Sequence, residues 1–365
     1  MNLAPIWEEG DWSGLPRLTD SLEADLCVVG LGGSGLSAIA TGLDLGLSVI
    51  GLDGAQVGGG AAGRNGGFLL AGMPLFYHEA REIYGADTAL AFYRRTIDEL
   101  DRMFAARNAR RTGSLRIAAN DEELADIEEE LTALNGDGFA VERHDGVEGA
   151  GMLIPSDGVC NPLSRVREQA RLVSDGGAQL FEHSSAVDVV AGRVTSGSGT
   201  VEAGMIVVAV DGRLELIFPE LAETVRSASL QMLATGPDRS VRFDRPVYTD
   251  FGHTYFQQLA DGTIALGGLR HQYHEISWTT EDGLIDEIQS GLDGELKDLG
   301  VQAPVTHRWY GHAAFTDDRR PIFAEMAPGV VAIGAYSGHG NVVGSIYGRE
   351  AVRQMAGGQP ITPPL

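Results

Sequence analysis

Six consecutive residues, Gly30-Leu31-Gly32-Gly33-Ser34-Gly35, have the types and spacing to cradle a phosphate. The first glycine permits a tight turn, the second lets backbone N–H groups approach a pyrophosphate, and the third lets the following helix pack closely on the strand before it. Asp53 lies about 20 residues further on, where an acidic side chain accepts hydrogen bonds from a ribose hydroxyl. The chemistry indicated is dinucleotide binding, without a choice between nicotinamide and flavin.

These residues need a strand, a turn, a helix and a second strand to hold them. Residues 25–30 are apolar, 34–45 have helical character and 47–53 are apolar again, which predicts one βαβ unit. A glycine-rich loop follows at 57–67. Residues 87–108 carry Leu90, Ile97, Leu100, Met103 and Phe104 at helical spacing, with charges between them. Asn120 with Glu123, and Asn161 before Pro162, mark two further helix starts. Short β-prone segments at 179–183, 186–190, 205–210, 230–235, 254–258, 263–267, 307–310 and 330–333 predict strands, and a last helix is expected from Gly340 toward Met355. The proline-bearing tail, 359–365, is expected to be a disordered end. No repeat or linker cuts the chain into consecutive halves, so interleaved domains of mixed α/β and α+β class are expected.

Bulk properties narrow the partners. The 365 residues carry a formal charge of −24, which disfavours nucleic acid and anionic membrane surfaces and mildly favours a cationic substrate. Fifty glycines, about twice the usual share, indicate many tight turns. Cys27 and Cys160 are the sole cysteines, so neither a disulfide framework nor a metal-ligand spacing is present, and a reducing cytoplasm is the expected location. The uncharged run 26–42 is broken by Gly30, Gly32, Gly33 and Gly35, which argues against a membrane span, and no basic stretch precedes it as in a signal peptide.

Val57-Gly58-Gly59-Gly60-Ala61-Ala62-Gly63-Arg64-Asn65-Gly66-Gly67 resembles the flavin loop of the D-amino-acid-oxidase-like FAD-dependent oxidoreductases, nearest the branch of γ-glutamylputrescine, sarcosine and glycine oxidases. The resemblance spans nearly the whole chain in order. It starts at Trp7 and 18–25, continues through Pro162-Leu163, Gly176-Gly177, Tyr255-Phe256, Asp261-Gly262 to Gly267-Gly268 and Trp309-Tyr310-Gly311, and ends at Ser337-Gly338-His339-Gly340. It implies a Rossmann-type FAD-binding domain from 1–85, 150–222 and 305–365, interleaved with an antiparallel-sheet substrate domain from 86–149 and 223–304. FAD, held noncovalently, is the implied cofactor. Besides the first glycine turn and Asp53, the implied contacts are Gly54, Ala62, Arg64, Asn65, Gly66, Gly67, Val187, Gly311, Gly338, His339, Gly340, Asn341 and Val342.

Members of this family oxidise a C–N bond, with a hydride equivalent passing to flavin N5 and water hydrolysing the resulting imine. The cofactor carries that chemistry, so no triad or strong base is demanded, and none is found. The resemblance places Tyr255 toward the substrate and His312 on the strand that passes the ring, although a strand tyrosine also suits a core. His339 is better read as a structural residue of its turn. Arg270, His271 and His274 form a basic cluster that suits a solvated surface, yet Arg270 could also anchor a carboxylate.

Several positions depart from the family. His312-Ala313-Ala314 stands where glycine-oxidase types carry a carboxylate-binding Arg, Val342 and Ala265 stand where sarcosine oxidases place lysines, and Gly311 stands where those enzymes attach flavin through cysteine. Ala209-Val210-Asp211-Gly212 replaces a hydroxyl-bearing turn. The expected substrate is a small amine or amino acid, with oxygen or another electron acceptor. The alternatives are a 2-hydroxy acid on the same fold, and a flavin-binding subunit without catalysis.

Overall fold

A computed structural model describes residues 3–8, 10 and 12–365; positions 1, 2, 9 and 11 of the expected cofactor-binding segment lie outside the described residues. The strand Ser21–Val29 starts half exposed and ends fully buried, and it is followed by the helix Gly33–Asp44 and the strand Val49–Leu52. Ser21–Val29 pairs parallel with Val49–Leu52 on one side and with Thr200–Val208 on the other. Parallel central strands are covered on both faces, which is why they read as unbroken apolar runs. Thr200–Val208 is shared: its early residues pair antiparallel with Arg193–Ser196, while Ile206, Val207 and Val208 pair parallel with Val330–Gly334. Gln179–Phe181 closes the other edge of this eight-stranded sheet, beside Val49–Leu52.

Helix Gly340–Ala356 packs on helix Gly33–Asp44, and two glycines permit the approach. A Cβ on Gly348 would stand 2.0 Å from the Ser34 carbonyl oxygen, and one on Gly344 would stand 2.4 Å from Ser34 Oγ. The C-terminal helix is thereby held against the turn that begins the fold.

The second sheet also has eight strands, running from Val305–Phe315 through Arg226–Pro237, Thr263–Gly268 and Thr254–Gln258 to the hairpin Glu142–Gly146 and Gly149–Ile154. Side-chain alternation gives it two different faces. Leu233, Phe256, Ile264 and Leu266 pack under helix Asp286–Asp298, against Ile288, Leu292 and Leu296. The alternate positions Met232, Tyr255 and Ala265 turn the other way, into the cluster shared with the first sheet. Tyr255 therefore faces the first sheet because Phe256 faces the helix.

Three expectations need correction. Val305–Phe315 and residues 150–154, assigned in sequence to the cofactor-binding segments, hydrogen-bond into the second sheet. The tail is docked rather than loose: Gln354 and Thr362 exchange side-chain and backbone hydrogen bonds at 2.8 and 2.9 Å, and Ile361 and Leu365 rest on the core. At helix Asp121–Gly136, Asn120 accepts from the Glu123 amide as expected, but the Glu123 carboxylate does not return the bond to the cap; it accepts from Ala119, Asp250 and Phe251 amides. Among the described residues, no helix is long and apolar enough to cross a membrane, and no group of three or more His, Cys, Asp or Glu is placed to hold a metal.

Candidate cofactor and substrate site

The turn 30–35 is shaped by close backbone approach. Gly30 has φ +101°, and a Cβ there would stand 2.5 Å from the Ala209 carbonyl oxygen; a Cβ on Gly35 would stand 1.8 Å from the Gly30 carbonyl oxygen. Gly32, the N-cap of helix Gly33–Asp44, has no side chain to cap its first turn, so that end is open to an anion. Asp53 continues from the second strand, and its carboxylate accepts from the Leu31 and Ala55 amides, both at 2.8 Å.

Burial pushes the Asp53 carboxyl up to about 6, against the lowering effect of those two amides. An acid whose folded pKa exceeds its unfolded value binds more protons when folded. Its contribution to stability is therefore present below about pH 4 and lost as pH rises through about 6. In urea titrations of the apoprotein, Asp53→Asn is expected to gain on the wild type by about 1–3 kcal/mol between pH 4 and 7. A difference independent of pH would show that burial does not govern this carboxyl.

The second glycine loop is tied to a turn 276 residues away in sequence. Asn341 donates to Asn65 Oδ1 at 3.0 Å and to the Phe68 carbonyl at 2.8 Å, while Asn65 donates to the Ala61 and Ala62 carbonyls and its Oδ1 accepts from the Gly67 amide. Trp7 and Trp309 donate their indole N–H to the carbonyls of Asn65 and Arg64, each at 2.8 Å. Arg64 donates to the Tyr310 carbonyl, and Gly311 lies against Arg64, where its Cβ would come to 3.4 Å. The loop, strand Val305–Phe315 and turn 338–341 thus meet at one place.

Tyr255 lies over this loop. A Cβ on Gly66 would meet its ring at 3.2 Å, Phe68 packs edge-on at 5.9 Å, and burial pushes its phenol up to about 12. Gln257, one strand repeat along, donates to the Gly66 carbonyl. In the 337–340 turn, His339 is the N-cap of the last helix, and burial, then the charge of Arg116, brings its imidazole down to about 4, leaving it neutral at ordinary pH. His339 Nδ1 and Ser337 Oγ are buried without a protein partner.

The structure separates the basic cluster seen in sequence. His271 pairs with Asp250 at 2.7 Å and stacks on His253, while His274 accepts from the Trp278 indole at 3.0 Å. Arg270 is not a solvated surface residue. Its guanidinium lies over the rings of Trp278 and Phe315, at 4.7 and 4.3 Å, and its Nη1 is buried with no partner. His312 is engaged elsewhere: Nε2 meets the Glu281 carbonyl at 3.0 Å and Nδ1 lies 3.8 Å from Asp282.

Two expected contacts have their side chains turned away from the turns. Val187 is 67% exposed, at a bulge in strand Ala186–Val190; the residue that touches Gly54 is Ser185, whose Oγ stands 2.7 Å from a Cβ built there. Val342 is buried beside Leu69, Leu100 and Met103. Asp211, which follows the Val210 that stands for the lost hydroxyl, accepts from the Tyr336 amide at 3.0 Å and so fixes the chain leading into the C-terminal turn. Gln257, Asn341's partnership with Asn65 and the buried Arg165 were not identified from sequence as parts of one site. No periodic pattern links them; only the contacts do.

The flavin dinucleotide implied by the resemblance fits this arrangement, because the glycine cradle, the uncapped helix end and the orphaned polar atoms of the 337–340 turn all await partners. Residues 25–354 match the family described as "DAO: FAD dependent oxidoreductase". The chain is 25% identical over 364 residues to gamma-glutamylputrescine oxidoreductase of Escherichia coli strain K12, covering 91% of this chain and 83% of that protein. It is 28% identical over 215 residues to the probable oxidoreductase OrdL of Rhizobium meliloti strain 1021, covering 53% of this chain and only 47% of that relative's length. Its fold is similar to the crystal structure of glycine oxidase from Geobacillus kaustophilus, with a TM-score of 0.74, 16% identity, and coverage of 93% and 95% of the two chains.

Proposed function

We propose, from the premise that this chain belongs to the DAO family of FAD-dependent oxidoreductases, that it oxidises the C–N bond of a small amino acid or N-substituted amino acid whose carboxylate is held by Arg270. Arg270 carries this reading. An arginine placed over two aromatic rings with an unpaired, buried Nη1 is pre-organised for a planar anion, and its fork matches a carboxylate bidentately. It replaces the anchor that the stretch His312-Ala313-Ala314 does not supply.

FAD, when bound, supplies the two-electron acceptor for the C–H beside nitrogen, leaving an imine that water hydrolyses. The chain's own part is placement. Residues 30–35, Asp53, the loop 64–67 and the turn 338–341 are the residues that would hold the cofactor. Tyr255, a neutral phenol over Gly66, limits the space on the substrate side and keeps bulk water from the reacting carbon. His339, neutral through burial, offers an uncharged polar atom at the C-terminal turn. Cys27 and Cys160 are buried, and Gly311 stands where sarcosine oxidases attach flavin through cysteine, which supports a cofactor held noncovalently.

Arg270 would serve the carboxylate of a 2-hydroxy acid equally well, and that is the second reading. Anaerobic titration of the purified holoprotein, following loss of visible flavin absorbance, separates them when substrates come in matched triples: an amino acid, its decarboxylated amine and its 2-hydroxy analogue. The expected result is bleaching by the amino acid and little by the amine. Bleaching by hydroxy acids alone would select the second reading. Equal bleaching by the decarboxylated amine would remove the anchor, and an inert flavin across a broad panel would sink both readings. Admitting oxygen afterwards shows whether oxygen is the acceptor.

A further inference from the structure

Arg165, on helix Pro162–Asp175, is a buried cation without a paired carboxylate. It is 4% exposed, and its Nη2 donates to neutral oxygens, Ser345 Oγ at 3.2 Å and the Asn341 carbonyl at 3.5 Å. Among the described residues, no carboxylate forms an ion pair with it. Glu99, whose charge acts on it across space, is already paired with Arg102 and Arg349.

Its surroundings add positive potential. Gly33 opens helix Gly33–Asp44, and a Cβ there would stand 3.4 Å from Arg165 Nη1; Asn341 and Ser345 belong to the first turns of helix Gly340–Ala356. Two helix N-termini, each equivalent to a partial positive charge, therefore converge on an unneutralised guanidinium. Burying a charge without a counter-charge is costly, and the cost falls when an anion arrives. Facing Gly32 is the methyl group of Ala62, 3.3 Å from a Cβ built on that glycine.

We propose that Arg165 is the counter-charge for the pyrophosphate of the bound dinucleotide, acting beside the backbone amides of the glycine turn. The inference depends on the family's FAD requirement and is independent of the substrate reading, since no substrate is needed to test it.

The test uses apoprotein prepared by removing flavin from wild type, Arg165→Met and Arg165→Lys, with affinities for FAD, ADP and riboflavin measured by fluorescence or calorimetry. Arg165→Met is expected to weaken FAD and ADP by about 100-fold, the scale of a lost charge-assisted contact, while leaving riboflavin within about threefold. Its apoprotein should melt no lower than wild type, because an unpaired buried charge has been removed. Arg165→Lys, which keeps the charge, should recover part of the FAD and ADP affinity. Unchanged FAD affinity in Arg165→Met would overturn the proposal. So would equal losses for FAD and riboflavin, which would mark a structural role. If the Met variant does not fold, the Lys variant decides: a selective, partial weakening of FAD and ADP supports the assignment, and wild-type binding or an equal loss of riboflavin overturns it.

Discussion

Gly35→Ala is expected to give a protein that folds but is purified nearly free of flavin, with FAD affinity lowered by about 100-fold or more, equivalent to roughly 3 kcal/mol. The cause is steric. The added methyl would stand 1.8 Å from the Gly30 carbonyl oxygen, 3.0 Å from its carbon and 3.2 Å from Val28 Cγ1, and the first two of these are backbone atoms that no rotamer change can move. Helix Gly33–Asp44 must then lift from the strand Ser21–Val29, carrying its first-turn amides away from the place where the strand aims them. Flavin content by absorbance, with circular dichroism to verify the fold, measures the effect. Gly204→Ala is the control, since nothing lies within 4 Å of a Cβ there, and it should retain FAD. Wild-type flavin content in Gly35→Ala would show that the close approach is not required for binding.

Arg270→Gln is expected to lower kcat/KM for the carboxylated substrate by about 100- to 1000-fold, mainly through KM, while flavin content stays at the wild-type level. Arg270 is the guanidinium placed over Trp278 and Phe315 without an acidic partner, so its removal takes away the proposed anchor and leaves no orphaned carboxylate in the protein. Arg270→Lys should recover little, because an ammonium has neither the planar fork nor the stacking face. An unchanged kcat/KM in Arg270→Gln would assign the substrate's anchor elsewhere. A decarboxylated amine, if it turns over at all, should be insensitive to either change.

Much of the cofactor half was legible in sequence because its signals are local. A glycine turn between an apolar strand and a helix reports its own geometry where the contact is local, as Gly35 does against Gly30, whereas Gly30 itself meets the Ala209 carbonyl of a distant strand. The Asn161-Pro162 start was legible for the same reason, and Asn161 accepts from the Ser164 amide as a cap should. Helix Asp286–Asp298 was missed, although Ile288, Leu292 and Leu296 lie at helical spacing in the sequence. The docked tail was not legible: three prolines read as an unpaired end, and only the position of Gln354 on the last helix reveals the partner.

The substrate side shows the limit most clearly. Arg270, His271 and His274 are neighbours in sequence and read as one basic patch, yet each finds a different partner once strand Thr263–Gly268 ends and the chain turns. The rings that frame Arg270, Trp278 and Phe315, come from separate segments, so no spacing rule could have joined them to it.

The amino-acid sequence by itself determined the glycine turn between strand and helix, because turn chemistry acts over a few residues, and the family, through a resemblance that runs along nearly the whole chain. Only the tertiary structure decided which cations are left without an acidic partner. Whether Arg165 and Arg270 are paired depends on what the fold brings beside them, and an unpaired buried cation is a property of an environment rather than of a residue.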